Sequence, residues 1–265
     1  MKPLLAATGL TLVVCAMGMA QDSTGDRIVV PARNTSHPRV VDCSLISGSI
    51  VVKTYGGKDV IVEPGPGRRT PPAPNGMKRI GSSDRGLDVV EEDNVITIRH
   101  HLGSGGRLTI TVPADTSLRL KSMSGTISAD GVHGEVDAHT QSGDITLTGI
   151  SGTVSADSQN GAIKVTMDRV DAAKPLAFST MNGIVDLTFP PDFKSSLTVR
   201  SANGPVYTDF DVTMGGRTSV SEKNGSSDGK FRLRMDSTIR GTIGGGGVDL
   251  TIRTFNGGVY LRKKK

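Results

Sequence analysis

Tryptophan is absent from the 265-residue sequence, and aromatic residues make up only 3% of it. Enzyme cores and ligand pockets usually draw on Phe, Tyr and Trp, so this scarcity beside 34 Gly is unusual for a compact enzyme. A hydrophobic content of 35% nevertheless excludes a wholly disordered chain. The composition favours a narrow core lined by Ile, Val, Leu and Ala.

Cysteine is scarce as well: the sequence has two, and one of them lies in an N-terminal segment that we expect to be cleaved. A basic start precedes an apolar stretch that is too short to cross a membrane and ends in small residues, which is typical of a secretory signal peptide. We expect residues 1–20 to be cleaved and the mature chain, 21–265, to be extracytoplasmic: periplasmic, surface-bound or secreted. Loss of Cys15 leaves Cys43 alone and excludes an intramolecular disulfide. No later apolar run predicts a transmembrane segment.

A clustered basic surface is also lacking. The net charge is +5, and residues 262–265 supply four cations at the end of the chain. Nucleic-acid binding requires a basic face, so we expect no nucleic-acid partner. The tail is interpreted as a solvated end, or as a contact for anionic polymer or lipid head groups.

An internal repeat dominates what is present. From residue 124 five nonapeptides follow one another: SGTISADGV, HGEVDAHTQ, SGDITLTGI, SGTVSADSQ and NGAIKVTMD. Gly is always second, and a β-branched aliphatic residue is always fourth, namely Ile127, Val136, Ile145, Val154 and Ile163. Apolar and polar residues alternate as in a strand with one buried face. Alternate nonapeptides agree best, so the sequence predicts an all-β, single-domain β-solenoid (β-helix) with coils of about 18 residues and two short strands.

The same register recurs outside this block. Corner glycines stand at Gly48, Gly183, Gly204 and Gly257, with aliphatic residues at matching offsets before and after them. We attribute the corner glycines to a need for positive φ. The register places Cys43 in a buried column, which favours packing over a reactive thiol.

Insertions interrupt the repeat. We predict loops at 64–76 and 214–230, a shorter one at 241–247, and no helix. Further strands are predicted at 27–30, 39–43, 49–53, 59–63, 87–90, 95–100, 107–112 and 231–235. We expect the N-terminal strands and the C-terminal segment to cap the two ends of the solenoid.

Three segments carry a family resemblance: LTITVPA at 108–114, the tandem Ser-Gly and Asn-Gly coils from 124 to 208, and GGGGVDLTIRTFNG at 244–257. With these the chain resembles the "putative adhesin" domain family of exported bacterial proteins. The resemblance implies a β-solenoid fold and a largely unknown function. It implies no catalytic residues.

Several side chains are candidates for chemistry. Ser227 lies in a G-x-S-x-G match, but a nucleophile elbow needs a preceding strand and a following helix, which the flanks do not offer. His133, Glu135, Asp137 and His139 alternate, so all four should face outward as candidate metal ligands.

Stacking by 18 residues weakens the metal reading. It sets Arg119, Asp137 and Ser155 side by side, and likewise Lys121, His139 and Asp157. Flanking cations favour ordinary charge pairing. His100 and His101 should point to opposite faces of one strand, which disfavours a joint site.

We therefore expect no catalytic, cofactor-binding or metal-binding residue and no cofactor. The sequence predicts an exported, non-enzymatic β-solenoid that acts as an adhesin-like surface or envelope interaction protein, with a protein or glycan ligand of unknown identity. The alternative is a carbohydrate-active β-helix enzyme that acts on envelope or extracellular polysaccharide. Such an enzyme needs carboxylates converging on one groove, and Glu135 and Asp137 are the close acidic pair.

Overall fold

The repeat winds into stacked coils whose strands form two sheets. The computed structural model describes residues 27–33, 37–65, 87–100, 106–221 and 235–265. These ranges contain strands and turns without a helix, so none of them offers a helix long and apolar enough to span a membrane. The predicted signal peptide, 1–20, lies outside the described residues.

The strands are short and follow one another closely. The first ten are β1 (Ile28–Val30), β2 (Val40–Ser47), β3 (Ser49–Tyr55), β4 (Val60–Pro64), β5 (Leu87–Glu92), β6 (Val95–His100), β7 (Arg107–Pro113), β8 (Ser117–Ser124), β9 (Ile127–Asp130) and β10 (Val136–Ser142). The next are β11 (Ile145–Gly152), β12 (Val154–Asn160), β13 (Ile163–Val170), β14 (Leu176–Asn182), β15 (Val185–Phe189), β16 (Ser195–Asn203), β17 (Val206–Thr208), β18 (Val212–Ser221), β19 (Met235–Ile243), β20 (Val248–Asn256) and β21 (Val259–Lys263).

Each coil contributes one strand to each sheet. Sheet A has the order β1-β4-β7-β3-β9-β11-β13-β15-β21-β17, and sheet B has the order β18-β19-β16-β20-β14-β12-β10-β8-β2-β6-β5. Within the coils the pairing is parallel and nearly without shifts, as between β10 and β12. The predicted all-β solenoid is confirmed, and so is its 18-residue step, because Val136 pairs with Val154 and with Leu118.

The core is a spine of aliphatic side chains between the two sheets. The inward positions predicted from the repeat are buried: Ile127, Ile145 and Ile163 are each 0% exposed. Their strands lie side by side in sheet A, so identical positions stack directly on one another. Burial of each such side chain stabilises the fold by about 1.5–3 kcal/mol. Each one packs on the equivalent side chain of the neighbouring coils.

Corner glycines let the coils approach each other closely. A Cβ built on Gly143 would overlap the carbonyl oxygen of Gly125, and one on Gly161 would overlap that of Gly143. Gly125 and Gly143 have φ of 151° and 150°, as expected. Gly161, Gly183 and Gly204 do not have a φ between +20° and +160°. The prediction that a corner glycine is needed for its positive φ is therefore wrong for these three. At these corners the stacking contact between coils excludes a side chain.

The coils do not stack in chain order. Coil β2–β3 lies between β6–β7 and β8–β9, and coil β20–β21 lies between β14–β15 and β16–β17. The expectation that the C-terminal segment caps the solenoid is therefore wrong, since Val259 pairs with Val185 on one side and Val206 on the other. Antiparallel strands cover the ends: β1, β4 and β5 at one, β18 and β19 at the other.

Four glycines allow the C-terminal coil to reach its place. Ile243 and Val248 both pair with Ser195, so residues 244–247 carry the chain over the beginning of β16. A Cβ on Gly247 would lie 2.5 Å from the carbonyl oxygen of Lys194. The glycine run is thus required where one segment of backbone crosses another.

Several predicted boundaries need correction. Residues 214–221 belong to β18, which pairs antiparallel with β19, so the predicted loop 214–230 is wrong there. Gly241 lies in β19, so the loop predicted at 241–247 begins only after Ile243. Residues 66–76, 222–230 and 231–234 lie outside the described residues.

A buried ion pair fastens the N-terminal strands. Arg39 is 7% exposed and donates from Nη2 to Oε1 of Glu91 at 2.9 Å. It also donates to the carbonyl oxygens of Pro31 at 3.1 Å and Lys58 at 3.0 Å. One guanidinium therefore ties three separate segments at this end of the solenoid.

Candidate functional site

The outer face of sheet B carries a groove of about 800 Å³. It runs across β2, β8, β10, β12, β14, β20 and β16, parallel to the solenoid axis. Because side chains alternate along each strand, the outward residues of neighbouring strands form continuous rows. Two such rows line the groove.

The first row is polar and charged. Strand register places its members side by side in the order Ser44, Lys121, His139, Asp157, Ser179, Arg253 and Arg200. Nδ1 of His139 lies 2.9 Å from Oδ1 of Asp157, which pairs the centre of the row. Lys121, Arg200 and Arg253 are exposed and form no ion pair with a described residue. The row is therefore basic at both ends.

The second row holds exposed apolar side chains. It contains the outward residue two positions before each corner glycine: Ile46, Met123, Gln141, Gln159, Met181, Phe255 and Ala202. Ile46 is 53% exposed, Met123 56%, Met181 50% and Phe255 48%. Grouped exposed apolar residues mark interaction surfaces more often than isolated ones do.

Hydroxyl groups below these rows hold the corners together. Thr140, Ser158 and Thr180 are buried, and each donates a hydrogen bond of 3.0–3.2 Å to the carbonyl oxygen of the preceding coil's corner glycine. Each bond crosses from one coil to the next. The floor of the groove is consequently tied along the axis as well as within each strand.

A ladder of asparagines continues this bonding at the corner. Asn182 donates to Asn160 at 2.9 Å, Asn256 donates to Asn182 at 2.8 Å, and Asn203 donates to Asn256 at 3.1 Å. Identical amides stacked at the strand spacing satisfy one another in this way. The ladder passes through the inserted C-terminal coil and links it to both neighbours.

The predicted acidic and histidine cluster faces outward but divides into separate ion pairs. His133 contacts Asp115 at 3.4 Å, and Glu135 contacts Lys174 at 3.4 Å. His133 and Glu135 precede β10, whereas Asp137 and His139 lie within it. The predicted columns are confirmed, since Asp137 pairs with Arg119 and Ser155. Within the described ranges no three His, Cys, Asp or Glu side chains are placed to share a metal ion.

Cys43 packs in the core. It is 0% exposed, and its thiol has a pKa raised to about 12, first by burial and then by the charge of Asp42. The interpretation of Cys43 as a packing residue is confirmed. Ser227 and His101 lie outside the described residues, as does the side chain of His100.

The basic C-terminal tail is held down instead of free. Arg262 donates to Asp186 at 2.8 Å and Lys264 donates to Asp168 at 2.8 Å, both on the outer side of sheet A. Arg262 also lies 5.4 Å from the ring centroid of Tyr260. Arg262 is still 52% exposed and Lys264 45%, so these two residues are solvated, as interpreted, and in addition form surface ion pairs.

Sequence reasoning missed the groove. Its signal was present, because Met123, Met181 and Phe255 occupy an outward position that is Gln at 141 and 159. Aligning the outward positions on the corner glycines would have collected them in one row. The inward positions are recognisable in the sequence because their residue types repeat, whereas those of the outward positions do not.

Comparison with known proteins gives one family and two distant structures. A family model described as Toastrack DUF4097 matches residues 85–244. A "putative cell adhesion protein" from Clostridium sporogenes is 9% identical, with a TM-score of 0.41, and covers 90% of this chain and 99% of its own. A "putative adhesin" from Bacteroides fragilis is 10% identical, with a TM-score of 0.36, and covers 90% of this chain and 97% of its own. No curated protein matches the chain.

Proposed function

The chain belongs to the Toastrack DUF4097 family, and on that premise we propose that it is an exported, non-enzymatic interaction protein. Its binding surface is the groove on the outer face of sheet B. Membership of the family confirms the resemblance inferred from the sequence. The observation that carries the proposal is the alignment, along one groove, of exposed apolar side chains with cations that form no ion pair with a described residue.

The groove has the composition of an interface. Met, Phe and Arg are enriched at protein interfaces, and Met123, Phe255 and Arg253 all line this surface. The backbone beneath them is engaged in parallel ladders on both sides. The backbone of such a floor has little freedom left to lose on binding, and this preorganisation favours affinity.

The groove does not suit glycoside cleavage. Among the described residues that line the groove, Asp157 is the one carboxylate, and its Oδ1 lies 2.9 Å from Nδ1 of His139. Two carboxylates flanking a scissile bond are the usual requirement. Glu135 is held by Lys174 and, with Asp137, does not line the groove. A binding role therefore accounts for the surface better than the carbohydrate-active alternative.

Export is the second part of the proposal, and it rests on the leader pattern of residues 1–20. Expression with a C-terminal tag, fractionation and N-terminal sequencing test it. The expected result is an extracytoplasmic protein that begins at Gln21. A cytoplasmic protein that retains the leader overturns this part and leaves the binding surface untouched.

A binding array tests the interaction role. Purified 21–265 is applied to immobilised glycans, envelope polymers and envelope proteins, together with a groove variant, Met123→Ser/Arg253→Ser. Lys164→Ser on the outer face of sheet A is the matched control, since Lys164 is exposed and distant from the groove. We expect a bound surface that the groove variant loses and the control keeps. Silence on every surface, or glycan turnover abolished by Glu135→Gln, overturns the proposal.

A further inference from the structure

Two like charges lie directly opposite each other at one end of the groove. Arg200 and Arg253 are register partners on β16 and β20, and both are exposed. Neither forms an ion pair with a described residue. Like charges directly opposite on a sheet destabilise it. The fold therefore keeps a repulsive pair that an external anion would relieve.

The opposite end repeats the pattern more loosely. Lys121 lies two strands from Arg99, with Ser44 between them on β2, and neither cation has an ion pair among the described residues. Between the two ends Nδ1 of His139 lies 2.9 Å from Oδ1 of Asp157, and Asp157 is the one carboxylate among the described residues of the row. An occupant complementary to this row is acidic at both ends and not acidic in the middle.

The apolar row has a matching two-ended form. Ile46 and Met123 form one exposed pair on adjacent strands, and Met181 and Phe255 form the other. Two glutamines separate the pairs. At about 4.8 Å per strand the centres of the pairs lie about 19 Å apart, which is between three and four turns of an α-helix.

The direction of the groove selects the form of the occupant. A ligand in the groove crosses the strands, whose backbone groups are already paired within sheet B. Main-chain augmentation is therefore excluded and recognition is left to side chains. An amphipathic helix presents such side chains in one stripe, and the whole row of about 29 Å accommodates about 20 helical residues.

We infer that the groove receives an amphipathic α-helix of a partner protein, with apolar residues at both ends of one stripe and acidic residues flanking them. The inference rests on the proposed binding role of the groove and names the class of its partner. Ile46, Met123, Met181 and Phe255 take the apolar stripe. Arg200 and Arg253 take the acidic residues at one end, and Lys121 takes those at the other. Flexible methionines are well suited to a helix face.

Two designed peptides serve as probes. Both are 20-residue lactam-bridged helices with apolar residues at the two ends of one stripe and glutamine in its middle; one carries Glu on the flank and the other Lys. Fluorescence anisotropy titrates each against the mature chain 21–265, against Arg200→Glu/Arg253→Glu, and against the matched control Lys164→Glu. Circular dichroism establishes that each variant is folded, and Arg253→Gln replaces the double variant if it is not.

The expected result is a reversal of preference. The Glu peptide binds the wild-type chain and the Lys164→Glu control alike, and binds the double variant about tenfold more weakly or worse. The Lys peptide binds the wild-type chain poorly and gains affinity for the double variant. With Arg253→Gln the Glu peptide loses affinity, and the Lys peptide gains less than it gains with the double variant.

Other outcomes separate the two proposals. Equal binding of both peptides, or binding unaffected by the charge changes, overturns the helical occupant. If neither helix binds while a glycan on the array binds in a groove-dependent way, the occupant is wrong and the interaction role stands. If no probe and no array surface depends on the groove, both proposals fail.

Discussion

Replacing Gly143 with alanine adds a methyl group where two coils touch through their backbones. The residue has φ of 150°, which costs a non-glycine residue about 1–3 kcal/mol. The new Cβ would also overlap the carbonyl oxygen of Gly125, and displacing packed backbone costs about 1–3 kcal/mol. We expect the free energy of unfolding to fall by about 2–6 kcal/mol.

Two further variants separate these costs. In Gly161→Ala the new Cβ overlaps the carbonyl oxygen of Gly143, but the φ of this residue does not lie between +20° and +160°. Only the cost of displacing packed backbone, about 1–3 kcal/mol, therefore applies. Gly56→Ala is the control, because nothing lies within 4 Å of its Cβ. The control should change the stability by no more than about 0.5 kcal/mol.

Urea unfolding followed by circular dichroism measures all three, with tyrosine fluorescence as a second probe. Equal m values in the wild type and the variants establish that the compared transitions expose the same surface. The predicted order of stability is Gly56→Ala, then Gly161→Ala, then Gly143→Ala. If Gly143→Ala unfolds within about 0.5 kcal/mol of the wild type, close stacking does not explain the corner glycines.

Three other outcomes follow from contacts already described. Cys43 should resist a water-soluble disulfide reagent at pH 8 until urea is added, and rapid labelling of the native protein would contradict its burial. Its thiol has a pKa of about 12 in the folded protein. The free energy of unfolding should therefore decrease as the pH rises from about 9 to 12, where the thiol ionises only in the unfolded chain. Asn182→Ala removes two amide hydrogen bonds and Asn203→Ala removes one, so urea unfolding should show losses of about 1 and about 0.5 kcal/mol. Equal losses would contradict a ladder in which each of these hydrogen bonds stabilises the fold. Arg39→Met removes the 2.9 Å partner of the Glu91 carboxylate, which is 9% exposed and then retains Arg33 at 3.6 Å, so the unfolding free energy should fall by about 3–5 kcal/mol. Arg33 is exposed, so Arg33→Met should cost less than about 1 kcal/mol, and similar urea midpoints for the two variants would refute this assignment.

The buried columns were predictable because their constraints repeat. Each inward residue packs on the same position of two neighbouring coils, so Ile127, Ile145 and Ile163 must share a shape as well as a polarity. That requirement appears in the sequence as a period. Strand ends carry no such requirement, and β2 accordingly extends to Ser47 where the pattern had predicted an end at 43.

The order of the coils was not predictable from the same pattern. Leu197 and Leu250 occupy equivalent inward positions of β16 and β20, so each strand satisfies the register equally well beside β14. The connections decide between them. The Gly244–Gly247 turn is short and carries the chain over the start of β16, which leaves β20 no place except the far side of that strand. Stacking preference fixes the type of neighbour, and chain connectivity fixes which neighbour it is.

The outward-facing positions are the ones that packing of the solenoid leaves free to vary. An inward apolar residue is explained by packing, but an outward one at half exposure has no packing reason, and it carries an aggregation risk. Met123, Met181 and Phe255 share one outward register across separate coils, and the residues at 141 and 159 show that Gln is accepted there. The fold therefore does not demand the apolar residues, and packing does not explain their alignment beside Arg200 and Arg253, which form no ion pair with a described residue. In a solenoid of this kind, apolar departures along the outward registers are therefore the positions that the proposed binding role explains and that packing does not.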